Sequence, residues 1–469
     1  MWPNKLQLLG VALAVAGIKA QTPDSVDVVV VGGGASGAHA AVRLRDDFNK
    51  TVLIVEKANR LGGHVHAYNP GNGGRNVNYG VQAYLNRNTT QSFFERFGVK
   101  LIDPDLTDYI SLLLLTDNVD FSTGQTVDVD YGPLDVAGIP IALLKYIDIV
   151  SDYQPWFENG YFQTGEMPED LTLPFGEFLE KHDLGASLGI LRNLLWLSDA
   201  LNTPTFHVLA VVGQPQIQAF GLGLAGPSFK WPETYSSETL FDNVLSHLGQ
   251  DVLLESTIAS SQRTDDGVTV NIQTPTGLKT VNAKKLLISA TPSPDNVGPW
   301  DLDDTEKDLF GKFSWETLYV GVVNNTGLPN DVTGIRNAPN DPDALYLPHG
   351  SFCDAFDQHN GADLYSTRII GTSDLSEDGA KSILTESFNT IKQAGTYTIG
   401  TPELVAFASH GQTVPKLSGA DLKAGVLNQL YGLQGRRSTY WTGLSWAPDY
   451  TPILWDFNEK LLPQILEGL

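Results

Sequence analysis

A glycine triplet near the start of the chain, Gly32-x-Gly34-x-x-Gly37, most narrows what this sequence can fold into. The apolar run Asp27–Val31 before it reads as a buried strand, and Ala35–Asp47 after it reads as a helix. Val52–Val55 reads as a second strand, ending on Glu56. The three glycines let the backbone turn sharply, approach a pyrophosphate and pack the helix on the sheet. The helix N-terminus, at Ala35 and Ser36, then offers N–H groups and a positive dipole end to the phosphates. Glu56 falls where a carboxylate accepts hydrogen bonds from the hydroxyls of an adenosine ribose. GxGxxG alone is a weak signal; in the order strand, turn, helix, strand, Glu it points to an adenine dinucleotide.

The continuation Glu56-Lys57-Ala-Asn-Arg60-Leu-Gly62-Gly63 separates a nicotinamide from a flavin. A cation four residues past the ribose carboxylate can return to the pyrophosphate, and the glycine pair lets the chain pass close to the cofactor's middle. The bland reading of Arg60 is a solvated surface charge. The stretch resembles the ExxxRxGG signature of the flavin amine oxidase superfamily, within the glutathione-reductase-type FAD fold. That resemblance implies FAD as the cofactor.

Two later blocks resemble the same superfamily. From Ser236, an apolar stripe of Leu240, Val244, Leu245 and Leu248 predicts a helix capped by Ser236 or Ser237 and closed by Gly249. Strand-like Val252–Leu254, Ile258–Arg263, Val268–Gln273 and Leu278–Val281 follow, the last three joined at Asp266-Gly267 and Thr276-Gly277 into a meander. Leu286–Ser289 then enters the sheet, before Ala290-Thr-Pro292. The resemblance puts the Ile258 backbone against the adenine; read alone, Ile258 is a core residue. In the third block, Thr439–Gly443 precedes Asp449-Tyr450-Thr451-Pro452 and the amphipathic stretch Ile453–Leu462. Pro452 suits a first helical turn. By resemblance Gly443 meets the flavin, and the backbone from Thr451 through Pro452 to Ile453 turns a helix N-terminus toward the pyrimidine end of its ring, where the dipole favours negative charge.

Beyond Gly63 the chain reads His64-Val-His66-Ala-Tyr68, then Asn78-Tyr79-Gly80-Val81-Gln82. This is similar to the GGHTxTY…DYGVQ pattern of fungal secreted or secondary-metabolite flavoproteins related to β-cyclopiazonate dehydrogenase. The tail Leu433–Leu461 is similar too, and the likeness fades over 91–231. It implies that His64, Tyr79, Gly80 and Val81 touch the cofactor. Asn78 replaces the usual Asp, leaving one fewer charge near the ring.

A flavin carries out the redox step while the protein supplies a dry, oriented cavity and an acceptor for any leaving proton. His64, His66 and His410 are the imidazoles in position for that. His64 reads first as a cofactor-loop contact. His66 is a base, a covalent tether to the flavin or a structural histidine. His410, in Phe407-Ala-Ser-His-Gly, lies where this superfamily presents groups to the flavin. Tyr450 and Tyr440 are candidates for one wall. Amine oxidases of the superfamily carry a lysine on a substrate-domain strand; the matching stretch, Tyr319–Asn325, has asparagine. Ordinary amine oxidation is thereby in doubt, and dehydrogenation of a cyclic or polyketide-like metabolite is at least as well supported.

Charge and composition bound the rest. The net charge of −24 with only short basic runs argues against nucleic acid and anionic membrane surfaces as partners. Residues 1–20 read as a signal peptide, with Lys5 before the apolar run Leu6–Ile18 and Ala20 at the cut. Sequons at Asn49, Asn88 and Asn324 fit a secreted, N-glycosylated protein. Cys353 is the sole cysteine, so no intrachain disulfide forms. Leu112–Leu115 and Leu191–Leu197 are too short to span a membrane and read as core. No metal-ligand spacing stands out; His64-x-His66 sits inside the cofactor motif.

The expected fold class is α/β (α+β overall). A Rossmann-like FAD-binding domain with a β-meander (22–90, 232–300 and 431–469) joins a mixed-sheet and helical substrate domain (91–231 and 301–430). The expected function is a secreted FAD-dependent oxidoreductase of amine oxidase or dehydrogenase type. It would take a hydride from a C–N or C–C unit of a small organic molecule, secondary-metabolite-like or amine, with reoxidation by O2 or another acceptor. A redox-neutral flavin isomerase and a non-catalytic flavin-binding protein are the alternatives.

Overall fold

In the computed structural model the described residues are 24–103, 116–130, 138–158, 160–161, 165–219, 228–359 and 362–469. The signal peptide and Leu112–Leu115 lie outside them. Val28, Val29 and Val30 are fully buried because the Asp24–Val31 strand is flanked on both sides. It pairs in parallel with Val52–Val55 and with the second half of Gly277–Ile288. Strands covered on both faces read as continuous apolar runs, which is why these segments were legible.

Seven strands form this sheet, in the order Thr257–Thr264, Gly267–Thr274, Gly277–Ile288, Asp24–Val31, Val52–Val55 and Val252–Leu253, with Thr439–Trp441 pairing Gly277–Ile288. Two expected segments, Leu278–Val281 and Leu286–Ser289, are one strand of 12 residues. Its first half closes the meander antiparallel to Gly267–Thr274; its Leu286–Ile288 end runs parallel to Thr439–Trp441. The intervening Lys284 and Lys285 interrupt the apolar pattern but sit at the surface, with Lys284 bonded to Asp27 at 2.8 Å.

The first helix is α-helical over Ala35–Val42 and continues as a π-turn through Arg43–Asp47. It packs against the C-terminal helix, Thr451–Leu466, which begins as Pro452 predicts. Two side chains of that helix anchor the first one: Trp455 Nε1 donates to Ala35 O at 3.0 Å and Asn458 Nδ2 donates to Ser36 O at 2.7 Å. The helix Glu238–Leu248 begins after Ser237 and stops at Gly249, whose φ is +56°.

A second, six-stranded sheet runs Glu403–Lys416, Ser314–Asn324, Leu364–Thr372, Phe352–Gln358, Gly334–Asn337 and Thr116–Val119. Leu384, Phe388 and Ile391 of the Glu377–Ala394 helix cover one face of it, against Phe356, Tyr365 and Ile369. The other face looks toward the cofactor segments. Short helices between Gly138 and Ala219 share one apolar cluster with the first sheet, so both parts rest on continuous packing.

Candidate active site

Gly32 has φ +95°, a conformation that suits glycine, and a Cβ on Gly37 would lie 2.0 Å from the Gly32 carbonyl oxygen. The turn therefore admits only glycine at these positions. Gly34 occupies the N-cap of the first helix and offers no side chain to cap it, and no acidic residue stands in the first turn. The backbone N–H groups of Ala35 and Ser36 are in the turn where an anionic group is stabilised. Gly62 N donates to Gly33 O at 2.9 Å, and Gly34 bridges Gly62, so the two glycine turns lie side by side. Glu56 is buried at the end of its strand; one carboxylate oxygen accepts from Gly33 N at 2.6 Å and the other from Ala58 N at 2.7 Å. A carboxylate has lone pairs left for ribose hydroxyls.

Arg60 is held in the same place by the Leu61 carbonyl at 3.1 Å and His66 Nδ1 at 2.8 Å, while Lys57 is exposed. Ile258 is buried opposite Ile272 in the meander. Gly443, with φ +95°, comes so close to Ser289 that a Cβ would lie 2.8 Å from its carbonyl oxygen. The ends of the strands Asp24–Val31, Gly277–Ile288 and Thr439–Trp441 thus meet at Gly32, Ser289 and Gly443. These donors and glycines fit a flavin dinucleotide: Glu56 for the ribose, the Gly34–Ser36 backbone and Arg60 for the pyrophosphate, and the glycine ends for close approach.

A cavity of about 210 Å³ opens beside this region. His64, Tyr79, Gly80, Val81, Asp449, Tyr450 and Thr451 line one side. Leu318, Val320, Arg368 and His410 of the second sheet line the other. Gly80 is there because it must be small: a Cβ would lie 2.0 Å from His64 O. Asn78, in the place of the usual Asp, accepts a hydrogen bond at 2.9 Å from the N–H of Ser237, the residue before the Glu238–Leu248 helix. Tyr450 presents its ring while its hydroxyl donates to Val211 O at 2.7 Å. Tyr440 is buried elsewhere, donating to Gln464 O at 2.8 Å. Pro452 and Ile453 are buried just inside the C-terminal helix.

His410 reaches the cavity through a β-bulge. Leu318 pairs with Gly411 and Tyr319 with Ser409, leaving His410 as the extra residue beside Gly411, whose φ is +68°. A bulge re-aims the side chain of the inserted residue. The His410 ring stacks on His64 with centroids 4.1 Å apart and planes 3° from parallel, and His66 lies 5.5 Å away. His410 Nε2 is out of solvent and has no hydrogen-bond partner. The neighbouring strand reaches the cavity at Leu318 and Val320, whereas Asn325 is exposed at its far end and bonds Thr401 O. The asparagine expected to replace a catalytic lysine therefore lies away from the cavity.

Burial, and then the neighbouring imidazoles, holds His410 well below the usual histidine range. Burial and the Arg60 guanidinium lower His66 to about 3. Burial lowers His64, with the Asp449 carboxylate opposing it; burial raises Asp449, with His64 opposing that. All three rings are thus neutral near pH 7, able to accept a proton from a bound molecule or a hydrogen bond from a cofactor.

Residues 30–97 match the model of the NAD(P)-binding Rossmann-like domain. Beta-cyclopiazonate dehydrogenase of Aspergillus flavus is 33% identical over 97% of this chain and 96% of its own length. The FAD-dependent oxidoreductase pigF of Monascus ruber is 30% identical over 96% of this chain and 94% of its own. The chain belongs to this family of FAD-dependent oxidoreductases. Among solved structures, a CLA-producing fatty acid isomerase from P. acnes superposes with a TM-score of 0.72 at 18% identity, covering 94% of this chain and 99% of that one. Cyclohexylamine oxidase from Brevibacterium oxydans gives 0.62 at 16% identity, covering 95% and 99%. These two share the fold. The cofactor is FAD, as the family relatives' names state and the glycine turns accommodate.

Sequence reasoning missed Asp449 as a cavity residue, although it stands beside the expected helix start. It also missed Arg336, Asp357 and Arg368, a charged group on the cavity wall. A signal existed for Arg368: an arginine inside the apolar strand run Leu364–Thr372 is costly unless paired.

Proposed function

We propose that this oxidoreductase dehydrogenates a C–N or C–C unit of a small, cyclic, secondary-metabolite-like molecule held in the cavity between the two sheets. The observation that carries this is the His410 ring, set on a bulge, stacked on His64 and left with an unpaired nitrogen at the cavity wall. When bound, FAD supplies a two-electron acceptor for the hydride of the substrate C–H. His410 Nε2 takes the proton that leaves the neighbouring substrate atom, nitrogen in a C–N unit or carbon in a C–C unit. His64 supports that ring by stacking, and the Asp449 carboxylate beside His64 opposes part of the effect of burial on it. Tyr79 and Tyr450 form walls that exclude water, and His66 holds Arg60 toward the glycine turns. We assign Gly32, Gly34, Ala35, Ser36, Gly37, Glu56, Lys57, Arg60, Gly62, Gly63, His64, Tyr79, Gly80, Val81, Ile258, Gly443, Pro452 and Ile453 to cofactor binding, and His410, His66 and Tyr450 to the substrate side. The corresponding division is a cofactor domain of 22–90, 232–300 and 431–469 and a substrate domain of 91–231 and 301–430.

Secretion belongs to the same proposal. The leader 1–20 would direct export, and Asn49 and Asn88 are exposed where glycans fit. Asn324 fits less well, because its side-chain oxygen is buried. Among the described residues no helix is long and apolar enough to cross a membrane.

The test is anaerobic mixing of oxidised holoenzyme with β-cyclopiazonate, cyclohexylamine, putrescine and a panel of cyclic metabolites, following flavin absorbance. Bleaching by a cyclic metabolite and not by the two simple amines supports the reading. Bleaching by the amines alone makes the protein an amine oxidase. Turnover without net bleaching makes it an isomerase, and a flavin that only a chemical reductant bleaches makes it a binding protein.

A further inference from the structure

Gln82 ends the motif at 78–82 and lines the cavity with a half-buried side chain whose amide no described residue bonds. The backbone on either side of it is fixed. Tyr79 N and Gly80 N both donate to His66 O, and a Cβ on Gly80 would lie 2.0 Å from His64 O. Two residues after Gln82, Tyr84 is fully buried and pairs with Lys230 in the strand Phe229–Pro232. Gln82 therefore stands midway between the histidine end of the cavity and its aromatic end at Phe229 and Trp231. The two residues from Gly80 to Gln82 span at most about 7 Å. Gly80 touches His64, and the His64 ring stacks on His410, so a molecule beside His410 is within reach of the Gln82 side chain.

The charges that share this wall are satisfied within the protein. Asp357 bridges Arg336 and Arg368, and Asp354 holds Arg368 at 2.8 Å, so two carboxylates balance two guanidiniums. His64 and His410 are neutral, and burial raises Asp449 toward its neutral form, with His64 opposing. A carboxylate brought here gives up its water and meets arginines already paired; an ammonium gives up its water and finds Asp449 set against His64. Open hydrogen-bonding groups on the wall are uncharged, His410 Nε2 and the Gln82 amide among them. A side-chain amide presents a donor nitrogen and an acceptor oxygen side by side. Another amide satisfies both at once when its own N–H and C=O lie on the same side. A primary amide or a lactam has that form; an open-chain secondary amide is trans and does not.

We propose that Gln82 determines specificity by pairing with an uncharged amide of the bound molecule, a primary carboxamide or a lactam. Its Nε2 donates to the amide oxygen, and its Oε1 accepts from the amide N–H. The inference rests on the cavity proposed above as the substrate site and narrows what enters it. Trp196, Phe229 and Trp231 receive the apolar body on one side of that anchor, and His410 faces the molecule from the other. A molecule lacking the amide leaves the Gln82 groups unpaired, which is how a hydrogen-bonding site rejects a close analogue.

The test compares four probes of one skeleton on the holoenzyme: 4-phenylbutanamide, N-methyl-4-phenylbutanamide, 4-phenylbutyrate and 4-phenylbutylamine. Binding is read by calorimetry and by tryptophan fluorescence, since Trp196 and Trp231 line the cavity. The primary amide should bind about ten-fold tighter than its N-methyl form, the worth of one further hydrogen bond. The acid and the amine should bind more weakly still. Gln82→Met keeps the length and removes both hydrogen-bonding groups, and should bring the primary amide to the level of the N-methyl amide. Gln82→Glu keeps the acceptor, loses the donor and adds a charge, and should place the amine first, a gain that misfolding does not produce. Equal binding of the two amides, tighter binding of the acid or the amine by the wild type, failure of the primary amide to bind, or an amide preference that survives Gln82→Met overturns the proposal. None of these readouts needs flavin reduction, so the subsite can fail while the dehydrogenase reading stands, and the reverse.

Discussion

His410 is a ring nitrogen kept from water without a partner, and that has two measurable consequences. Replacing it, His410→Gln, should slow flavin reduction by roughly 10²–10⁴-fold, the usual worth of a general base, while the FAD content of the purified protein stays unchanged. Because burial holds its pKa well below 6.5, the ring stays a neutral base down to that pH and beyond. The rate of flavin reduction should then be flat from pH 8 to 6.5 and fall only in more acid solution; an acid limb centred at 6.5 contradicts the assignment. At the ribose, Glu56→Ala removes acceptors for Gly33 N and Ala58 N and should weaken FAD binding by about ten-fold or more, measured by reconstitution of apoprotein. Glu56 was legible from spacing, and His410 from its place in the chain order of a known superfamily. Arg336, Asp357 and Arg368 were not, because their meaning lies in pairing across three strands of a sheet, with a bulge between Cys353 and Ala355 setting the register.

Among the elements, the bulge at His410 and the turn at Gly80 carry the most consequence. Deleting His410 removes one of the three register shifts between Glu403–Lys416 and Ser314–Asn324, so the protein should fold and bind FAD yet lose substrate-dependent flavin bleaching. A deletion variant with full activity would remove the bulge from the account. Gly80→Ala places a Cβ where His64 O stands, so that variant should be purified with little flavin and a lowered Tm. Strands of the first sheet were readable because burial on both faces gives unbroken apolar runs. The long Gly277–Ile288 strand was read as two, since Lys284 and Lys285 mark its passage along the surface rather than a turn. The helices between Gly138 and Ala219 were the least legible: several span only three to eight residues, too short for a helical period to show.

At the scale of the molecule, two buried histidines tie stability to pH. His39, on the buried side of the first helix between Phe93 and Trp455, and His207, bonded to the Leu417 backbone, are each lowered to about 3, chiefly by burial. Both titrate near 6.5 in the unfolded chain, so below that pH the unfolded state binds more protons. Stability is therefore fully present above pH 6.5 and lost as pH falls toward 3, by about 1 kcal/mol per pH unit for each ring. His39→Phe should flatten that decline, seen as a smaller drop in Tm between pH 7 and 5. The claim on which the whole arrangement depends is that chemistry occurs where the second sheet's bulge meets the cofactor segments. The most direct measurement is anaerobic stopped-flow reduction of holoenzyme and of His410→Gln by the compound that bleaches the wild type, with flavin content matched. The account predicts a loss of at least about a hundred-fold in the rate of bleaching. Equal rates in the two proteins would contradict it.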